Sequence, residues 1–262
     1  MDSQKLLEDM TRVARQCGEM ILAATKEHIS AAEKTGFRDL VTKYDVQVQE
    51  FAIRELSAIY PGAGFICEEG APTTDDKARM VFVIDPIDGT ANFVHHLRHS
   101  CTSIACFVDG EPALGAVYDP YADEMFTAIR EVGAFMNNSP IHVSRGPLHD
   151  SVVIFGTSPY DADLADETFN RARMMFDKCR DLRRTGSAAL DLCYAAAGRA
   201  GLFFESRLSL WDYAAAALIV SEAGGAALTF EGEPLPFKVG RTSCVAGAME
   251  NITESGIIAR EK

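Results

Sequence analysis

Two aspartates three positions apart close the apolar run VFVIDPIDGTANF: Asp85 and Asp88 flank Pro86 and Ile87, and Gly89 and Thr90 follow. Val81 to Ile84 has the unbroken β-branched and aromatic character of a buried strand, so the acids fall where that strand is expected to end. Asp, Pro and Gly favour turns in their own right, and a structural Asx turn accounts for the motif without chemistry. The chemical reading is more specific. A tight turn on a rigid strand can aim both carboxylates and the Ile87 carbonyl at one point, and such a set of hard oxygen donors suits Mg2+. Carboxylates so close repel and raise one another's pKa, and a divalent cation relieves that repulsion.

Other acids stand at comparable places. Glu68 and Glu69 follow Phe65 to Cys67 in FICEEG; a surface acidic pair is the ordinary reading, with Glu68 as a direct metal ligand and Glu69 as its supporting neighbour the functional one. Asp212 follows Trp211 at the start of an Ala-rich segment, where it can cap a helix or deliver a carboxylate from the opposite side of a site. Asp45 has the same two readings, its functional one being to orient an attacking water together with Thr90. If a short helix opens at Gly89 and Thr90, their outward N–H groups bind phosphate well, and Gly89 lets phosphate approach the backbone closely. Glu205 closes GLFFE, where an ordinary strand-end charge is the plain reading. Arg183 and Arg184 could meet a second phosphate or pair with surface acids.

The elements that must position these residues follow from periodicity. Leu6, Leu7, Met10, Val13, Ala14, Cys17 and Ile21 recur at helical spacing. A second helix starts near LVTKYD, with Thr42 and Asp45 at capping-box spacing, and stops at Pro61 and Gly62. SIACFVDGEPALGAVYDP reads as two strands around Asp109-Gly110 and EMFTAI as a third, with turns at EVGAF and NNSPI; the first half thus combines helices with an antiparallel sheet. Past RGPLHD, the candidate boundary between an N-terminal α+β half (1–146) and a C-terminal α/β half (147–262) of one unit, VVIFG reads as a strand and Ala162 to Cys179 as a helix. SAALDLCYAAAG and LWDYAAAALIVSEAGG read as further helices, the latter closed by Gly224 and Gly225. GLFFE and SCVAGA complete a mixed α/β pattern of sheets covered by helices. There is no glycine-rich dinucleotide fingerprint and no phosphate loop ending in GKS or GKT.

Composition bounds the function. The chain has 262 residues and a formal net charge of -13, which argues against nucleic acid or an anionic membrane as partner. Seven cysteines at irregular spacing point to reduced thiols rather than a disulfide framework. The charged N-terminus lacks the apolar stretch of a signal peptide, and no run is long enough to span a membrane; a cytoplasmic protein is the expectation.

DPIDGTANFVH and WDYAAAALIVSEAGG, in that order and with NNSPIHVS, GTSPYD and RRTGSAALDLCYAAAG between them, resemble the inositol monophosphatase family of Mg2+-dependent, lithium-sensitive phosphatases. The resemblance runs from DLVTKYD to SCVAGA. It implies a layered α-β-α-β-α sugar-phosphatase-like fold, often dimeric. It implies metal ligation by Glu68, Asp85, the Ile87 carbonyl, Asp88 and Asp212, and a water-orienting pair, Asp45 and Thr90. Inositol contacts map to Asp88, Ala188, Glu205 and Asp212, and Lys34 matches a lysine on the phosphate side. Asp85 would bridge two Mg2+ ions about 3.5 to 4 Å apart, with a third, weakly held ion near Glu68. The implied reaction is hydrolysis of a phosphate monoester, myo-inositol monophosphate first, by in-line attack of water and without a phospho-enzyme. Alternatives are fructose-1,6-bisphosphate or another small sugar or nucleotide phosphate, and a regulatory binding protein that retains a phosphatase fold.

Two stretches depart from the family pattern. Cys67 stands where glycine commonly precedes the two glutamates, and the segment after NFVH runs His95, His96, Leu97, Arg98, His99. Three clustered histidines raise zinc as a reading, but neither sulfur ligands nor a paired scaffold supports it.

Overall fold

The first helix of the computed structural model, α1 (Ser3–Ala24), turns Leu6, Met10, Val13, Cys17 and Ile21 into the core and leaves its polar side outside. The structure describes residues 2–27, 29–70 and 78–258. After α1 come a hairpin, β1 (Ala31–Gly36) and β2 (Asp39–Thr42), then α2 (Lys43–Ile59), β3 (Gly64–Cys67), β4 (Met80–Asp88), the short α3 (Thr90–Val94), β5 (Cys101–Val108), β6 (Glu111–Asp119), β7 (Glu124–Ile129), β8 (Gly133–Met136) and β9 (Ser139–Pro140). The second half contains β10 (Val152–Phe155), α4 (Ala165–Phe176), β11 (Asp181–Arg183), α5 (Ala188–Ala196), β12 (Leu202–Ser209), α6 (Leu210–Glu222), β13 (Ala226–Leu228), β14 (Arg241–Gly247) and α7 (Met249–Ser255).

Strands β3 to β9 form one sheet in sequence order, and β11-β10-β12-β14-β13 form another. Side-chain alternation places three cores around them. Phe82, Ile84, Ile104 and Cys106 point from the larger sheet toward α1 and α2. Val81, Val83, Ala105 and Phe107 point the other way, onto α5 and α6, which the second sheet covers through Phe203, Cys244 and Ala246. Phe204, Val245 and Val153 then face Ala172 and Met175 of α4 and Ile252 of α7 on the far side. The result is the layered α-β-α-β-α arrangement. Helix α6 is apolar on all sides because it lies between two sheets. It also packs very close: a Cβ on Gly115 would sit 2.6 Å from the Ala215 carbonyl oxygen.

Several local readings need correction. The larger sheet is antiparallel except between β3 and β4, which run parallel. EVGAF and NNSPI carry strands β8 and β9 as well as turns; β8 is only four residues long and β9 is a two-residue exposed edge strand, so neither leaves much apolar signal. The helix expected over Ala162 to Cys179 opens as a 3-10 turn, Ala162–Leu164, and its α-helical part is Ala165–Phe176. The final strand read at SCVAGA is β14, and the short helix α7 follows it.

Candidate functional site

Strand β4 does not stop at Asp85. It runs on to Asp88 through a break in register: Asp85 pairs with Ser103 and Asp88 with Cys101, so three steps on β4 oppose two on β5. Residues i and i+3 of a regular strand face opposite sides; the extra residue restores parity and turns both carboxylates to one side. Pro86, which has no N–H to give the ladder, sits in the bulge. Its carbonyl accepts from the Thr102 hydroxyl at 2.9 Å, and the Ile87 N–H donates to Asp85 Oδ1 at 3.1 Å. The Asx turn and the candidate ligand pair are thus the same object.

Parallel pairing brings in the next acid. Cys67 lies opposite Ile84, and the Glu68 N–H donates to the Ile84 carbonyl at 3.2 Å, so Glu68 leaves β3 beside Asp85. Lys34 of β1 donates to Glu68 at 3.0 Å and also to Glu69. Glu69 is fixed further by its N–H donating to Gln49 Oε1 at 2.9 Å. Asp212 enters from the second half at the first turn of α6, where its Oδ2 accepts from the Ser209 N–H at 2.7 Å in a capping box.

Asp88 ties the halves together. Its Oδ2 accepts from the Ala189 N–H at 2.9 Å and from the Ser187 hydroxyl, so it satisfies the open N-terminus of α5 and holds Ala188 beside the acids. Gly89 makes this approach possible: its φ is 88°, and a Cβ there would lie 3.0 Å from the His99 carbonyl oxygen and 3.2 Å from that of Gly186. Asn92 bridges the same backbones, donating to the His99 carbonyl at 2.8 Å and the Thr185 carbonyl at 2.9 Å.

Asp45 and Thr90 meet as expected. The Thr90 hydroxyl stands 3.2 Å from Asp45 Oδ1 and 3.1 Å from the Ile87 carbonyl oxygen. Asp45 Oδ2 accepts from the N–H and hydroxyl of Thr42 at 2.7 and 2.6 Å, within the capping box of α2.

The electrostatics of this cluster are one-sided. Burial, then the charges of Glu68, Asp88 and Asp212, holds the Asp85 carboxyl well above its usual range. Burial likewise raises Asp212, with Asp88 and Glu68 adding to it. Glu68 is pushed up to about 7 by burial against the pull of Lys34, and Asp88 to about 6 by burial against its bonds to Ser187 and Ala189. Buried acids of one sign are costly unless a cation joins them. Among the described residues no three His, Cys, Asp or Glu side chains form a ready metal cluster, and Asp88 and Asp212 each commit one oxygen to a helix start. The donor set itself, carboxylates with the nearby Ile87 carbonyl, has the hard-oxygen chemistry that suits Mg2+.

The sequence model of the inositol monophosphatase family matches residues 2–261. The chain belongs to this family. Among curated family relatives, the Nus factor SuhB of Escherichia coli K12 is 38% identical over 230 residues, covering 87% of this chain and 86% of that protein. Its counterpart in Xylella fastidiosa is 36% identical, covering 87% and 82%. Among solved structures, the extragenic suppressor protein suhB of Bartonella henselae superposes with a TM-score of 0.91 at 31% identity, covering 98% of this chain and all of that one. The Thermotoga maritima IMPase gives 0.87 at 30% identity, covering 97% and 95%.

The remaining predicted residues occupy distinct places in the family fold. Glu205 does not end a strand; β12 continues to Ser209 with a register shift just after Glu205. Its Oε1 accepts from the Ser158 N–H at 2.8 Å, and burial raises its pKa to about 7. Arg183 pairs with Asp181, whereas Arg184 donates to the Thr157 hydroxyl at 3.0 Å. His95 and His96 are exposed, while His99 is largely enclosed, its Nε2 3.7 Å from Asp191 Oδ1. The roles of Ser158, Asn92 and Gln49 were not foreseen: each acts on a segment remote in sequence, and no local pattern announces that.

Proposed function

We propose that this protein hydrolyses a phosphate monoester with Mg2+ and that the phosphate meets the protein at the Asp85–Thr90 turn. The observation that carries the reading is the convergence of buried acids from β3, the β4 bulge and α6, which burial and mutual charge hold at raised pKa. Glu68, Asp85, the Ile87 carbonyl, Asp88 and Asp212 are the residues that would hold the metal. Bound Mg2+ supplies charge neutralisation at phosphate and leaving oxygens and lowers the pKa of water. The protein's own part is positioning. Thr90, braced by Asp45, orients a water for in-line attack. Asp45, itself fixed by Thr42, accepts the hydrogen bond of the Thr90 hydroxyl and so leaves the Thr90 oxygen free to accept one from that water. Lys34 offsets the charge of Glu68 and Glu69, and the backbone at Gly89 and Thr90 meets phosphate oxygens. The substrate in this reading is a phosphorylated cyclic polyol, myo-inositol monophosphate first, and the working unit is a cytoplasmic homodimer.

A phosphate-release panel of inositol, sugar, nucleotide and glycerol phosphates with and without Mg2+ tests the reading; release from none of them ends it. A second reading has its own support, for the relatives named above carry the name Nus factor SuhB. This favours a regulatory role on a phosphatase fold over the myo-inositol assignment in particular. Complementation of an E. coli strain lacking SuhB by Asp88→Asn separates the two: rescue by the inactive variant places the role outside hydrolysis.

A further inference from the structure

His99 and Asp191 form an enclosed pair that the hydrolytic reading leaves unused. Asp191 stands in the first turn of α5 and is 1% exposed. The Thr185 hydroxyl donates to its Oδ1, and the imidazole Nε2 of His99 faces the same oxygen at 3.7 Å. That distance is too long for a hydrogen bond but within reach of a charge pair, and Nε2 is buried with no hydrogen-bond partner among the described residues. The ring packs beside that of Tyr194, with centroids 5.8 Å apart. Burial raises the Asp191 carboxyl, and His99, then Thr185 and Arg184, work against that. A carboxylate enclosed to this degree is costly without an opposite charge.

What the pair brackets gives it a role. Between Thr185 and Asp191 lie Ser187 and Ala189, whose hydroxyl and N–H seat Asp88 Oδ2. His99 reaches both ends of that seat. Its carbonyl accepts from Asn92 Nδ2 at 2.8 Å, and the same nitrogen donates to the Thr185 carbonyl at 2.9 Å, which ties the near end to the first half. Its ring faces Asp191 at the far end. The Thr185 hydroxyl closes the circuit on Asp191. The bracketed backbone has little room to adjust: Gly186 holds φ at 97°, and a Cβ there would lie 3.1 Å from the Asn92 amide nitrogen.

We propose that His99 is a positioning residue for the metal site: by opposing the charge of Asp191 it pins the start of α5, so that the Ser187 and Ala189 seat holds Asp88 with its free oxygen set for a divalent cation. This rests on the metal reading of the acids but not on the identity of the substrate. Partners of this outer kind orient the groups that ligate a metal without touching it.

The test measures Mg2+ affinity by calorimetry in wild type, His99→Phe, His99→Gln and Asp191→Asn, beside the melting temperature in EDTA and the Mg2+ dependence of phosphate release. His99→Phe keeps a ring against Tyr194 but cannot oppose Asp191; it is expected to weaken Mg2+ binding about tenfold and to raise the Mg2+ needed for half-maximal release alike, with kcat at saturating Mg2+ within about twofold. His99→Gln can still donate to Asp191 and is expected to recover most of the loss. Asp191→Asn keeps an acceptor for Thr185 and is expected to lose as much as His99→Phe, and adding His99→Phe to it to cost little more; these two decide the matter if His99→Phe alone does not fold. A lower melting temperature with unchanged Mg2+ affinity overturns the proposal, because the pair then serves only the fold, and so does a full additive loss in the double variant. Mg2+ binding that depends on His99, with no phosphate released from any ester, overturns the hydrolase reading and upholds the positioning role. Absence of Mg2+ binding in wild type overturns both.

Discussion

Asp88 shows how much one side chain carries here. One oxygen closes the start of α5 through Ala189 and Ser187; the other is left for a metal. Asp88→Asn keeps an acceptor for α5 but removes the charge, so phosphate release should fall by about a hundredfold or more while far-UV circular dichroism stays native. Folded variant with near-normal turnover would falsify the ligand role. Glu205 supports a second prediction, in pH. Its pKa rises from 4.5 to about 7 on folding, so the folded state keeps the proton longer than the unfolded state. Stability is therefore highest below pH 4.5 on this account and declines as pH rises toward 7, by roughly 3 kcal/mol at the upper bound. Glu205→Gln keeps an acceptor for the Ser158 N–H and cannot ionise. Its melting temperature should gain on wild type between pH 5 and pH 8, and a gap constant across that range would show that the glutamate carries no such cost.

Among elements, α2 is the one whose start was fully legible, because a capping box is local: Thr42 and Asp45 identify each other by spacing alone. Thr42→Ala should cost about 1 kcal/mol in thermal denaturation and also loosen Asp45, lowering phosphate release; Thr42→Ser should restore both. If Thr42→Ala melts lower but turns over normally, the Thr42–Asp45 contact serves only the helix. The turn inside the end of β4 was legible as chemistry but not as geometry. Its bulge depends on pairing with β5, which nothing in DPIDG encodes. Gly89 is where that geometry is most exposed to test. An added Cβ meets both positive φ and two carbonyl oxygens, so Gly89→Ala should cost about 2 kcal/mol, lowering Tm by about 4 to 8 °C in a chain of this length. An unchanged Tm would mean that the backbone can relax without loss. The β1–β2 hairpin escaped sequence reading for a different reason: AAEKTG and DLVT carry too few apolar residues to show alternation, though the hairpin delivers Lys34.

For the molecule as a whole, the order of acids along the chain was legible and their meeting was not. Resemblance supplied the set; the structure supplies the means, namely parallel β3–β4 pairing, a parity-restoring bulge and an α6 start reaching back from between the two sheets. Each step buries negative charge, so folding works against its own site. Asp85 feels this most, enclosed and facing Glu68, Asp88 and Asp212 together. A cation that binds only the folded state should then stabilise it, by about 2.7 kcal/mol at a hundred times its Kd, or about 5 to 10 °C in Tm for a chain of this size. Asp85→Asn separates charge relief from ordinary packing, since Asn can still accept from the Ile87 N–H. In EDTA the variant should melt above wild type because one repelling charge is gone; in saturating Mg2+ it should melt below, because the gain from the metal is lost. The crossing of the two orders is the decisive feature. A variant less stable than wild type in both conditions would mean that Asp85 is a structural acid, and the convergence of carboxylates would then need an explanation other than metal.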